Sequence, residues 1–199
     1  MTEAWARSVL QRLGQFADQF ADCVGRRVQR DAASPYLEGL FNDSERKSMQ
    51  AMHGRLSDPG TYQALQHFIT HSPWSASRVW DRRRALVPDR SGILALDDTG
   101  LPKQGNHSVG VKRQYCGALG KIGNCQVAVS SLLMGARQGW PLTCDRYLPK
   151  EWLSEPGRGA DGGIPEGTRF REKWRIALAQ VRAVRKAGFA VTAVVADTD

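Results

Sequence analysis

Asp97 and Asp98 directly follow the apolar run Ile93-Leu94-Ala95-Leu96, and Asp197 directly follows Phe189-Ala190-Val191-Thr192-Ala193-Val194-Val195-Ala196. Apolar runs this short, bounded by turn residues, predict buried strands, each here ending on an acid. If the two strands are neighbours in one sheet, Asp97 and Asp197 meet at its edge. Two such carboxylates can bridge a pair of divalent cations ~4 Å apart, one activating a water or hydroxyl and the other stabilising the leaving oxygen of a phosphodiester. Carboxylate and water ligands suit Mg2+ or Mn2+, and bound metal lets like charges sit close together. An aspartate at a strand end also serves as a turn former or helix N-cap. For either acid alone that is the commoner role; two such strands in a basic chain tip the balance towards metal.

The surrounding charge points the same way. The 199 residues carry 28 Lys+Arg against 20 Asp+Glu, a formal net charge of +8. Residues 99–150 hold seven of these cations and one acid, Asp145, so much of the excess follows the Asp97-Asp98 pair. A basic surface beside carboxylates suits an enzyme acting on a phosphate backbone, whose phosphates the cations would hold. The four cysteines and four histidines show no metal-ligand spacing. His67 and His71 can share a helix face, but no third ligand accompanies them. The N-terminus is amphipathic rather than a signal peptide, and no apolar run approaches the ~18 residues of a membrane span. A cytoplasmic protein with reduced thiols is expected.

Two kinds of structure must position these groups. Residues 1–90 are expected to form a helical N-terminal domain, with DNA binding as its candidate role. Trp5, Val9, Leu13, Phe16, Phe20 and Val24 recur at helical steps; further helices are expected from Asp43-Ser44-Glu45 through Arg46 to Met52, from Asp58-Pro59 to Ile69, and from Ser75 to Leu86. The last carries Val79 and Trp80 inward and Arg82, Arg83 and Arg84 outward. Residues 91–199 then change pattern. A strand at 93–96 is followed by a Gly-punctuated polar stretch and a hairpin of residues 125–134 with 140–146. A Gly/Pro-rich loop spans 154–167. A helix over 169–187 turns Phe170, Trp174, Ala177, Leu178, Val181 and Val184 to one face, with Gly188 as its C′ residue, and the 189–196 strand comes last. Trp74, Trp80, Trp140 and Trp174 are expected in cores.

The segment LALDDTGLPKQGNHSVGVKRQYCGALGKIGNCQVAVS, residues 94–130, resembles the block around the first catalytic acid of bacterial insertion-sequence DDE transposases, in particular the DDE superfamily endonuclease group. Upstream, YLEGLF (36–41), ERKSMQAM (45–52) and LQHFITHSPW (65–74) are similar to that family's helical N-terminal region. Downstream, RYLPKEWL (146–153), GIPEGTRFREKWRIALAQV (163–181) and VVADTD (194–199) are similar to its approach to the second acid. Several blocks in the right order cover almost the whole chain.

The resemblance implies an α/β fold: a helical N-terminal domain followed by an incomplete RNase H-like mixed-sheet domain. It implies Asp97 and Asp197 as catalytic, metal-binding acids using Mg2+ or Mn2+. Asp97 is preferred because related families keep an acid there before a small residue and Thr; a one-residue slip to Asp98 stays open, although neighbouring strand residues face opposite sides. Lys103, Lys112, Arg113, Lys121 and Gln114 would contact DNA near the scissile phosphate, or form a solvated basic loop. The partner would be double-stranded DNA, at transposon ends and target, with a homodimer possible by the same analogy. The family's third acid, a later glutamate, and its usual Tyr-Gly after the second acid are not found before Asp199. The implied function is therefore that of a DNA transposase, a metal-dependent endonuclease and strand transferase, in truncated form. The alternative is a non-catalytic DNA-binding remnant or inhibitor fragment. The shortened sheet would leave Val191–Val195 partly uncovered.

Overall fold

A computed structural model describes residues 3–25, 27–45, 47–56, 58, 60–155 and 157–197, with side chains from Arg7 onward. The Trp5 side chain, Arg46, Pro59, Thr198 and Asp199 lie outside the described residues. The chain divides into two compact units, Met1–Arg83 and Arg84–Asp199.

The first unit is helical: α1 (Glu3–Asp18), α2 (Arg27–Phe41), α3 (Met49–His53), α4 (Tyr62–His71) and most of α5 (Ala76–Ala85). Helix α3 starts later than the Asp43-Ser44-Glu45 signal predicts. Ser48 is its N-cap, its side chain accepting from the Ala51 N–H, and Thr61 caps α4 in the same way through Ala64. A hydroxyl that satisfies an orphan N–H fixes the first turn. Met52, Leu65 and Phe68 are buried, and α2 lies so close to α3 that a Cβ on Gly39 would come within 2.9 Å of the Met52 Cβ. Arg82–Arg84 do not form a solvated face. Arg82 donates to Asp22 Oδ2 at 2.6 Å, and this ion pair holds the Asp22 carboxyl below its usual range. Arg84, in the second unit, donates to the Leu142 carbonyl.

The second unit is a five-stranded mixed sheet with helix α8 (Lys173–Lys186) on one face. Strands β1 (Ser91–Pro102), β3 (Lys121–Met134) and β4 (Gly139–Tyr147) are successively antiparallel, and β5 (Ala190–Ala196) lies parallel to β1 on its other side. A short strand β2 (Lys112–Cys116) pairs with the first residues of β3. Three antiparallel strands, a crossover helix and a fourth strand parallel to the first make this an RNase H-like α/β sheet, as the resemblance implies. Two short helices, α6 (Glu151–Ser154) and α7 (Arg158–Asp161), sit in the loop after β4.

The core lies between sheet and helix. Leu94, Leu133, Leu142, Val184 and Phe189 are buried together, with Leu96 and Val191 against them. The α8 face is rotated from the sequence expectation: Ile176, Gln180 and Val184, at four-residue steps, point inward, whereas Trp174 is 59% exposed with Arg175 over its ring. The helix begins at Lys173, and Phe170 packs on Tyr147 instead. Trp74 is also exposed. The polar stretch before residue 125 forms β2 and the start of β3, a hairpin that its glycines conceal in the sequence.

Candidate metal and nucleic-acid site

Strand β1 does not stop at the acids. Asp97 pairs with Ser130 and Asp98 with Val129, and the ladder to β3 runs on to Pro102. Pairing with β5, however, stops at Leu96 opposite Ala196. Asp97 and Asp197 are thus the residues that follow the last β1–β5 pair, where β1 loses its partner on that side. Both acids are exposed.

Alternation along β1 separates the two neighbouring acids. Leu94 and Leu96 face the core under α8, and Asp98 lies on that face too. Its Oδ2 is ion-paired with the Lys173 ammonium at the start of α8, and its side chain is only 25% exposed. Asp97 lies on the opposite face with Ile93 and Leu101, both well exposed. Deeper under α8, the buried Gln180 amide donates to the Val129 carbonyl and to Asp145 Oδ2, each at 2.8 Å. Sequence reasoning misses both contacts, Lys173 with Asp98 and Gln180 with Asp145. Their one sequence signal is the four-residue spacing of Ile176, Gln180 and Val184.

The predicted basic residues do not converge on the acids. Lys103, Lys112, Arg113 and Lys121 are all exposed. Lys112 lies opposite Cys125, five positions along β3 from Ser130, or ~17 Å at extended-strand rise. Lys121 lies nine positions from Ser130, ~30 Å by the same rise. Lys112 is tied to Glu151, Nζ to Oε1 at 2.5 Å, which raises the lysine's pKa and lowers the carboxyl's. Gln114 donates to the Cys125 carbonyl at 3.3 Å.

As metal donors, Asp97 and Asp197 supply the hard oxygen ligands that a small divalent cation prefers. Among the described residues no group of three or more His, Cys, Asp or Glu side chains is placed to hold a metal ion. The donor set therefore suits such a cation in kind and offers two carboxylates in number.

An RNase H-like sheet carrying acids where β1 and β5 part company defines the class of protein. The chain belongs to the DDE superfamily endonuclease family, whose model matches residues 19–199. It is 31% identical over 176 residues to a probable transposase for insertion sequence element IS701 from Microchaete diplosiphon, a match covering 86% of this chain and 43% of that protein. The chain thus spans less than half the length of the curated relative it matches. No solved structure matches it. Among the described residues no helix is long and apolar enough to cross a membrane.

Proposed function

We propose that this chain supplies the first two metal-binding acids of a DNA-cutting site, Asp97 and Asp197, and serves in transposition of an insertion sequence. The observation that supports the reading is the register: the β1–β5 ladder ends at Leu96 opposite Ala196, so each acid is the residue that follows the last pair. Family membership supports the reaction class.

Asp97 and Asp197 would hold Mg2+ or Mn2+. When bound, the metal would supply Lewis-acid activation of the attacking oxygen and charge stabilisation at the scissile phosphodiester. The protein's own part is positional. β1 is pinned on both sides through Leu96, so the Asp97 backbone is fixed by the β3 ladder. The parallel pairing fixes the point from which Asp197 leaves β5. Double-stranded DNA, at element ends and target, is the substrate of this reading; the cytoplasm is its compartment, and a homodimer would pair two ends.

A second reading moves the first ligand by one residue. Asp98 already binds a cation, the Lys173 ammonium, on the α8 face, so a metal could replace that ammonium. A third is a DNA-binding polypeptide that does not cut, which the basic excess of residues 99–150 supports.

The test is Mn2+- or Mg2+-dependent cleavage of transposon-end DNA. Cleavage by the chain, lost by at least a hundredfold on Asp97→Ala or Asp197→Ala and retained by Asp98→Ala, is expected. Loss confined to Asp98→Ala and Asp197→Ala would establish the second reading. DNA binding without cutting, indifferent to all three substitutions, would establish the third.

A further inference from the structure

At the far end of the sheet from the β3–β4 turn, an open groove of about 450 Å3 lies between the start of β2 and the α6–α7 segment. Its floor is Trp152, 3% exposed, whose indole Nε1 donates to the Val111 carbonyl at 2.8 Å. That bond ties α6 to the residue just before β2 and sets Lys112 and Arg113 at the groove's rim. On the facing side the Arg158 guanidinium lies 4.3 Å from the Trp152 ring centroid and bonds Glu155 at 2.6 Å. A cation stacked on an indole and tied at one end is held in place. Val111 and Pro149 add apolar lining, and Asn106 and Asn124 add polar groups. Asn124 contributes its side-chain amide, bonded to Asn106 at 2.7 Å.

The charge balance selects the ligand. Lys112, Arg113 and Arg158 outnumber the two carboxylates bonded to them, Glu151 in the lining and Glu155 beside it. Glu151 holds Lys112 through one oxygen, while its other oxygen is shielded from water and without a hydrogen-bond partner. Guanidinium forks, an ammonium and side-chain amides suit phosphate oxygens. The groove is too open to enclose an apolar small molecule.

We propose that this groove binds the phosphodiester backbone of DNA at a station apart from the acids, with Arg113 and Arg158 on the phosphates and Lys112 exchanging Glu151 for phosphate. The proposal rests on DNA being the substrate and deepens that reading. It adds Arg158 and the Trp152 floor to the binding surface, and it gives Glu151 a role that opposes binding. Glu151 occupies the lysine when DNA is absent, so removing its charge frees a cation for the phosphate.

The experiment measures binding of the full chain to a short DNA duplex in EDTA across a salt series, so that metal binding plays no part. Each phosphate that the protein no longer neutralises lowers the slope of log K against log salt by about 0.9. The variant Lys112→Gln/Arg113→Gln/Arg158→Gln is expected to lower the slope by about two to three and to weaken binding at least tenfold. Glu151→Gln is expected to tighten binding. Arg137→Gln, in the exposed turn at the opposite end of the sheet, serves as the control and should bind as wild type. Circular dichroism checks the fold. If the triple variant disturbs it, the exposed single changes Lys112→Gln and Arg113→Gln decide, each lowering the slope by about one. Wild-type affinity and slope in these variants, or weaker binding by Glu151→Gln, would overturn the proposal. Failure of the groove would leave wild-type DNA binding intact, whereas failure of the DNA-substrate reading would leave the wild-type chain without measurable affinity.

Discussion

Asp97 and Asp98 are adjacent in the chain and opposite in circumstance. Asp98 faces α8 and is neutralised by Lys173; Asp97 faces outward from the sheet. Lys173 is therefore a positioning residue for Asp98 and for the first turn of α8. With both side chains partly exposed, the pair belongs towards the modest end of ion-pair energies, so Lys173→Ala should cost about 1 kcal/mol. Chemical denaturation would show this as a lower midpoint with unchanged slope. The same loss in an Asp98→Asn background would mean that Lys173 acts through something other than the pair. Single-sequence reading cannot separate these two acids, because the resemblance block contains both and strand alternation says only that they differ. What separates them is the α8 register, set by Ile176, Gln180 and Val184.

At the scale of elements, the α8–β5 junction fixes where Asp197 emerges. Gly188, with φ +85°, takes the left-handed turn between helix and strand. A Cβ there would meet its nearest atom, Arg90 Nη2, at an ordinary 3.6 Å, so the cost of Gly188→Ala lies in backbone conformation and not in collision. The expected loss is about 1–2 kcal/mol, read as a lower melting temperature; an unchanged one would mean that the junction relaxes. This turn is legible in the sequence, because a glycine after an amphipathic stretch and before an apolar run has a single local explanation. The apolar strands and the β3–β4 hairpin are legible for the same reason. Other features require long-range pairing. The polar residues Asp97–Gly100 stay in β1 because β3 pairs with them, and Lys112–Cys116 is a strand because β3 extends back to Lys121. Trp152 lies inside the RYLPKEWL block, but its role as a groove floor carries no periodicity signal, since it sits in a four-residue helix.

For the second unit as a whole, β5 ends the strand order and leaves Val194 and Val195 about half exposed. An apolar edge strand is a template for unwanted pairing. Val195 lies in register with Ala95, on the outward face, so Val195→Thr should slow aggregation of this chain while keeping β propensity. Light scattering at matched concentration measures it; an undiminished rate would place the sticky surface elsewhere.

If the acids at the parting of β1 and β5 hold a divalent cation, the cation should bind to the chain without DNA. Electron paramagnetic resonance of Mn2+ titrated into the chain tests it without requiring cleavage or DNA. Saturable binding that weakens at least tenfold on Asp97→Ala and on Asp197→Ala, and is unchanged on Asp98→Ala, is expected. Binding that survives both Asp97→Ala and Asp197→Ala would contradict a metal site at these acids.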